Sequence, residues 1–293
     1  MTGHRFLSTI ILKPGSDPMP AVRTAEWINL VFFAFLGGLA VLIPLQRPRR
    51  VGALLLGSLG IAAVISAQLF DHFLSPLAAS IVRDWLPAPL ILVAYHQGGQ
   101  FFSRPMESLQ SGLLQIDQRL FAFLGRSLGT SEIPRSVRAY LEVAYFFCYP
   151  LVPMGVGVLY LTHMRQCSDE FWTIVLPPTY LCYAMIPFLP TLPPWLLGGQ
   201  RMSDDGTGSV RAANFFILRH LSIKANTFPS AHVAASVATA LALLDLTPVA
   251  GLIFLWVAIS IAISTVAGRY HYALDSVLGA VLATATFALT KSL

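Results

Sequence analysis

Apolar blocks, each about as long as one crossing of a lipid bilayer, follow one another through most of this chain. An α-helix that crosses a bilayer needs roughly 20 predominantly apolar residues. Only 11% of the 293 residues are charged, whereas a soluble domain carries roughly 25%, so the chain cannot cover a water-facing surface. The sequence therefore predicts an all-α fold, a polytopic membrane bundle of about six to eight transmembrane helices. The predicted spans are residues 27–45, 51–74, 85–96, 140–161, 171–189, 228–246, 249–267 and 272–289.

The short third span and the more polar segments between spans also lead to structural predictions. The third predicted span, 85–96, is short and contains two prolines, which is typical of a broken span or a re-entrant segment. Residues 104–138 are more polar and have apolar side chains at helical spacing, which predicts an amphipathic helix on the membrane surface. A polar loop is predicted over residues 198–227. We divide the chain into N-terminal spans of undetermined role, 1–100, and a C-terminal membrane unit, 101–293, which together form one structural body.

Charge and cysteine content exclude several classes of protein. The net charge of +5 comes mostly from arginine, and basic residues do not alternate with aromatic ones, so no nucleic-acid partner is expected. The three cysteines are too few and too scattered for a disulfide framework or a Cys-rich metal site. We expect a multi-pass protein of a bacterial-type cytoplasmic membrane. The distribution of Lys and Arg leaves open which membrane side carries the polar loop, and the sequence does not indicate an oligomeric state.

The sixth predicted span opens with a proline, and the residues after it are suited to chemistry. Pro229 stands at the start of an apolar helix, where its missing N–H costs nothing. Ser230 and His232 then fall in the first turn. The unpaired N–H groups and the positive dipole end of that turn form a site for a phosphate, so His232 is expected beside the bound anion.

A second histidine, His271, is followed four residues later by Asp275 at the start of the last span, so the two share one helix face. The aspartate can accept the N–H of one ring nitrogen, which fixes the tautomer and leaves the other nitrogen free as a nucleophile. The two intervening spans form an antiparallel hairpin. That hairpin returns His271 to the membrane level of His232.

Three basic residues near these histidines are candidates for binding phosphate, namely Arg219, Lys224 and Arg269. Phosphoryl transfer needs such charges, because negative charge spreads over the equatorial oxygens in its transition state. Any one of them could equally face lipid headgroups, and a lone histidine could simply pack between helices. The combination of two histidines, a carboxylate and a helix-start proline on one side favours chemistry.

These motifs resemble a known family. Residues 228–234 read FPSAHVA and residues 268–275 read GRYHYALD, similar to the second and third signature motifs of the type 2 phosphatidic acid phosphatase superfamily. The form Phe-Pro-Ser-x-His-x-Ala is closest to the branch that contains inositol phosphorylceramide synthases, and the tract 183–195, with its tyrosine and prolines, resembles the one that precedes the site in that branch. The resemblance covers residues from about 140 to 290. It implies a six-helix core in the C-terminal part of the chain.

The resemblance also implies roles. His271 would attack phosphorus and form a phosphohistidine, Asp275 would orient it, and His232 would protonate the leaving oxygen and later deprotonate the acceptor. Backbone and hydroxyl groups of Ser230 would hold the phosphoryl oxygens. No metal or other cofactor is implied.

Two departures from the family pattern concern the phosphate clamp. The arginine of the third motif falls at Thr265, and Arg269 is a candidate substitute. The first motif, with its lysine and arginine, is missing altogether. Its roles could pass to Arg201, Arg211, Arg219 or Lys224, and the motifs do not choose among these.

The resemblance therefore implies a lipid phosphatase or phosphotransferase acting on a lipid phosphate or phospholipid in the bilayer. A transferase would pass a phospho-headgroup to an alcohol such as inositol or to a ceramide-like lipid. Two other readings stay open. His232, His271 and Asp275 also make a possible metal set, as in a metal-dependent membrane hydrolase, and a helix start that binds an anion would suit a lipid or anion transporter.

Other polar residues inside predicted spans invite the same question. Glu142, Tyr145 and Tyr149 form one polar stripe at helical spacing, and Tyr95 and His96 lie in the third span. Such residues either line a functional cavity or join helices by hydrogen bonds. For the stripe, joining of helices is the favoured reading.

Overall fold

The computed structural model describes residues 22–124, 134–197 and 208–292, and the regular elements within these ranges are helices. The predicted all-α fold is confirmed. The α-helices are α1 (Thr24–Leu42), α2 (Arg47–Leu69), α3 (Pro76–Trp85), α4 (Pro87–Gly99), α5 (Glu107–Phe123), α6 (Arg135–Phe146), α7 (Leu151–Leu161), α8 (Ser168–Ala184), α9 (Pro194–Leu197), α10 (Gly208–His220), α11 (Ala231–Leu246), α12 (Pro248–Ala267) and α13 (Ala273–Ser292).

Several of these helices are suited to a bilayer. Within the described ranges, five stretches are long and apolar enough to cross it: α1, α2, α3 with α4, α12 and α13. The bent pair α6 and α7, which meet at 72°, makes a sixth if it is one span, while α8 and α11 are shorter, at 17 and 16 residues. Large apolar side chains such as Val249 and Trp256 face outward. The protein is an integral, multi-pass membrane protein, as predicted.

The third span is longer than the predicted segment 85–96. Helices α3 and α4 run as one stretch of 24 residues, Pro76–Gly99. Arg83 and Asp84 lower the hydropathy of its first half, yet both are buried and paired. Arg83 donates to Glu26 at 2.6 Å, and Asp84 accepts from two arginines. Pairing inside the bundle is what permits charged residues at membrane depth.

The same ionic cluster ties the N-terminal spans to the rest of the molecule. Arg165, between α7 and α8, donates to Asp84 at 2.8 Å, and Asp169, at the start of α8, accepts from two backbone amides at the start of α1. Helix α1 also packs along α8. The described N-terminal spans therefore pack directly on the C-terminal helices, while a separate role for residues 1–100 stays a prediction.

Helix α11 lies at the centre of the bundle, against α8, α12 and α13. Its buried positions are rich in small side chains, which let neighbouring helices approach closely. They include Ala231, Ala234, Ala238, Ala240 and Ala242. On α13, a Cβ at position 279 would lie 2.5 Å from the carbonyl oxygen of Ser230. Gly279 therefore lets α13 lie directly against the start of α11.

The segment predicted as a loop over 198–227 contains a helix. Helix α10 packs against α6, and its Asn214 is fully buried. Polar residues on the buried side of α10 obscure the apolar periodicity on which helix prediction depends. Residues 198–207, including Arg201, lie outside the described residues.

The amphipathic helix predicted over 104–138 corresponds to α5. It buries Leu113 and exposes Phe123, as expected of a helix at a membrane surface. Residues 125–133 of the predicted segment lie outside the described residues, and Arg135 already belongs to α6.

Candidate active site

One wall of the site is the start of α11. This helix begins at Ala231, three residues after the predicted start at Phe228, because Ser230 has extended backbone and caps it: its Oγ accepts a first-turn N–H at 3.4 Å. Thr227 Oγ1 accepts the Ala231 N–H at 3.1 Å. Pro229 therefore precedes the cap instead of opening the first turn. Two of the amides that were predicted to meet a phosphate already have side-chain partners.

His271 lies in the turn before α13 and not on the helix itself. Its backbone N–H donates to the Thr265 carbonyl at 2.9 Å, which shapes the turn. Asp275, in the first turn of α13, reaches back, and its Oδ2 accepts from His271 Nδ1 and from the Tyr272 N–H, both at 3.2 Å. This network assigns the proton to Nδ1. It leaves the Nε2 lone pair free to attack an electrophile.

A third donor to Asp275 was not anticipated from the sequence. Asn226 Nδ2 donates to the same Oδ2 at 2.7 Å and to Thr191 Oγ1 at 3.1 Å. The exposed fraction is at most 1% for Asn226, Thr191 and Asp275. One oxygen of the Asp275 carboxylate thus accepts hydrogen bonds from three donors.

The structure brings His232 and His271 together, as the antiparallel hairpin predicts. Their ring centroids are 5.4 Å apart and the rings are nearly perpendicular. Both face a cavity of about 410 Å³, including its open mouth. The described residues that line it are Tyr95, Tyr145, Tyr183, Pro193, Trp195, Leu218, Ser222, Ala225, Asn226, Thr227, Ala231, His232, Tyr270 and His271.

Tyrosines dominate the remaining wall of this cavity. Tyr145 stacks on Tyr270 with ring centroids 3.6 Å apart, and its edge meets His232. Tyr270 donates to the Glu142 carboxylate at 2.6 Å. Burial, and after it the nearby carboxylate, raises the pKa of the Tyr270 phenol well above its usual value, so it stays a neutral donor. In the predicted polar stripe, Glu142 therefore joins helices by hydrogen bonds, whereas Tyr145 lines the cavity. Tyr95, from the third predicted span, also lines the cavity.

The predicted phosphate-binding residues lie around the cavity and do not line it. Ser230 is fully buried as a helix cap, and Arg219 and Lys224 are exposed at and beyond the end of α10. Arg269 is half-buried in the turn before His271, with a positive φ of 59°. Their assignment to phosphate binding stays a prediction.

Asp117 on α5 is another site residue that the sequence did not reveal. Its Oδ1 accepts the Ala273 N–H at 2.9 Å and so caps α13, the helix that follows His271. Burial, with a smaller contribution from the charge of Asp275, raises the pKa of Asp117 to about 6. The hydrogen bond from the Ala273 N–H and the charge of Arg269 lower it, but by less. The sequence gives no signal for this contact, because Asp117 and Ala273 are 156 residues apart.

Comparison with known proteins gives one family. A family model described as PAP2 superfamily matches residues 111–289. The match spans α5 to α13 and includes both histidines and Asp275. No curated protein and no solved structure matches the chain.

Proposed function

Because this chain belongs to the PAP2 superfamily, we propose that it is an integral-membrane lipid phosphoesterase that works through a phosphohistidine on His271. Membership of the superfamily supports a phosphatase-type lipid phosphoesterase. One observation carries the finer proposal. His232 and His271 face each other at 5.4 Å across one cavity, with Asp275 behind His271.

The proposed reaction has two steps. The Nε2 lone pair of His271 attacks phosphorus, the bond from phosphorus to the lipid oxygen breaks, and protonated His232 gives its proton to that oxygen. Water or an alcohol then attacks the phosphohistidine, His232 takes the acceptor's proton, and the P–N bond breaks. Asp275 stabilises the positive charge that develops on His271 during the attack.

Hydrolysis and transfer differ only in the acceptor of the second step. The likeness of residues 228–234 to the synthase branch favours transfer of a phospho-headgroup to an alcohol, such as inositol, or to a ceramide-like lipid. Product analysis separates the two. With a labelled lipid phosphate and candidate alcohols present, release of free phosphate alone would reject the transferase.

The central test uses purified protein in detergent with a panel of lipid phosphates and phospholipids. Wild type is expected to turn over at least one of them, and His271→Ala none. His220→Ala is the matched control, because His220 is an exposed histidine at the end of α10 that does not line the cavity. Acid-labile, alkali-stable label on the wild-type protein would support the phosphohistidine. Unchanged turnover by a folded His271→Ala variant would reject the catalytic proposal and leave the transporter in its place.

A further inference from the structure

Asn226 connects the two sides of the active site. Its backbone pairs with Thr191, whose carbonyl accepts the Asn226 N–H at 2.8 Å in an isolated antiparallel bridge. Thr191 belongs to the proline-rich segment that supplies Pro193 and Trp195 to the cavity wall. The side-chain amide of Asn226 bonds Asp275 on the opposite side of the site.

The Asn226 amide can take only one orientation here. Its two Nδ2 hydrogens have two acceptors, Asp275 Oδ2 at 2.7 Å and Thr191 Oγ1 at 3.1 Å. A flipped amide would place its oxygen against the Asp275 carboxylate oxygen, which has no proton to donate. The residue is 1% exposed, so loss of the bond to Asp275 would leave a mostly buried polar group without its partner.

We infer that Asn226 is a positioning residue for the His271–Asp275 pair, holding the carboxylate at the angle from which it fixes the histidine tautomer. This inference rests on the proposed function. The Asp275 side chain reaches back from α13 to a histidine in the preceding turn. Of its three donors, the Tyr272 N–H moves with that turn, while Asn226 anchors the carboxylate to a separate part of the chain. Loss of that anchor leaves the carboxylate free to rotate away from Nδ1.

The test is Asn226→Leu, which is close to asparagine in size but has no N–H to donate to Asp275. We expect kcat to fall about 10- to 100-fold with KM nearly unchanged, by comparison with the range seen when the outer partner of a metal-binding histidine is removed. Asp275→Asn should cost more, on the order of 10⁴-fold, because it favours the wrong tautomer directly. A fall confined to KM, or none, would overturn the inference.

A second readout does not depend on turnover. In protein with ¹⁵N-labelled histidine, assigned by comparison with His271→Ala, wild type should show His271 protonated at Nδ1. Asn226→Leu should shift it toward the Nε2–H form.

The matched control is Asn214→Leu. Asn214 is also a fully buried amide that donates to a carboxylate, Glu142 Oε2 at 2.9 Å. This control variant should lower the melting temperature by a comparable amount without changing the ¹⁵N signal of His271. An unchanged signal in Asn226→Leu, or an equal shift in both variants, would reject the positioning role. If wild type turns over no lipid phosphate, the proposed function fails, but the tautomer comparison still decides the role of Asn226.

Discussion

A single methyl group at position 279 is expected to move the two active-site histidines apart. The Cβ of Gly279→Ala would lie 2.5 Å from the carbonyl oxygen of Ser230, the cap of α11. That oxygen belongs to the backbone and cannot rotate away. Ordinary contact begins at 3.4 Å, so α13 must retreat from α11 by about 0.9 Å. His271, directly in front of α13, moves with it, while His232 stays on α11.

The magnitude follows from this displacement. A misplacement of about 1 Å near reacting groups can cost on the order of 100-fold in rate. Overpacking typically costs about 1–3 kcal/mol, and alanine recovers roughly 0.5–1 kcal/mol relative to glycine inside a helix. Gly279→Ala should therefore lower kcat about 100-fold while it destabilises the fold by no more than about 2.5 kcal/mol.

The assay is turnover, in detergent micelles, of a lipid from the panel that the wild type accepts, with thermal unfolding followed by tryptophan fluorescence on the same preparations. Gly38→Ala is the matched control. Gly38 also lies inside a helix, and a Cβ there would meet nothing within 4 Å. This variant should keep full turnover and unfold at the same temperature or slightly higher.

Wild-type turnover and an unchanged melting temperature in Gly279→Ala would refute the reasoning, because the close approach of α13 to Ser230 would then be absent. A large loss of stability with unchanged kcat in the fraction that remains folded would refute the link between helix spacing and catalysis, while it would leave the close approach intact.

Other expectations follow from the polar contacts of the site. The pKa of Asp117 is raised from 3.8 to about 6 in the folded protein, so the folded protein should lose stability as pH rises from about 4 through 6. Asp117→Asn can still accept the Ala273 N–H, and its melting temperature should be nearly constant between pH 4 and 7. The same pH dependence of the melting temperature in both proteins would contradict this. Chelation of divalent ions should leave turnover intact, because the residues that the structure describes hold no group of three or more His, Cys, Asp or Glu side chains that could bind a metal ion. Activity lost to chelator but restored by added metal would favour the metal-dependent hydrolase. Glu142→Ala should destabilise the folded protein by about 3–5 kcal/mol, because it leaves the mostly buried Arg211 and the Tyr270 hydroxyl unpaired. A loss below about 1 kcal/mol in denaturant titration would show that these groups find new partners.

Sequence predicts those parts of this molecule that depend on local signals. Helices α12 and α13 each begin one residue from the predicted N-terminus, because their apolar blocks are long and are flanked by turns. The pairing of His271 with Asp275 was also accessible, since a spacing of four residues is a local property even though His271 proves to precede the helix.

What the sequence could not give depends on distant contacts. Asn226 meets Asp275 across 49 residues and Asp117 meets Ala273 across 156, and neither partner is marked by any periodicity. The start of α3 was missed for a related reason. Arg83 argues against a span until its partner Glu26, 57 residues away, is known.

The position of the site at helix ends follows from the solvent of this protein. In hydrocarbon every backbone polar group must be bonded within its helix or barrel, so free polar atoms gather where helices stop. Here the start of α11, the turn before α13 and the segment after α8 meet, and each completes the others: the Ser230 N–H donates to the Asp275 carbonyl at 3.0 Å, and Asn226 bonds both Asp275 and Thr191. For a lipid phosphate, this arrangement lets the headgroup enter a polar cavity while its chains stay among the outward-facing apolar side chains. Selectivity should then depend on the headgroup and on the tyrosines around it more than on acyl length.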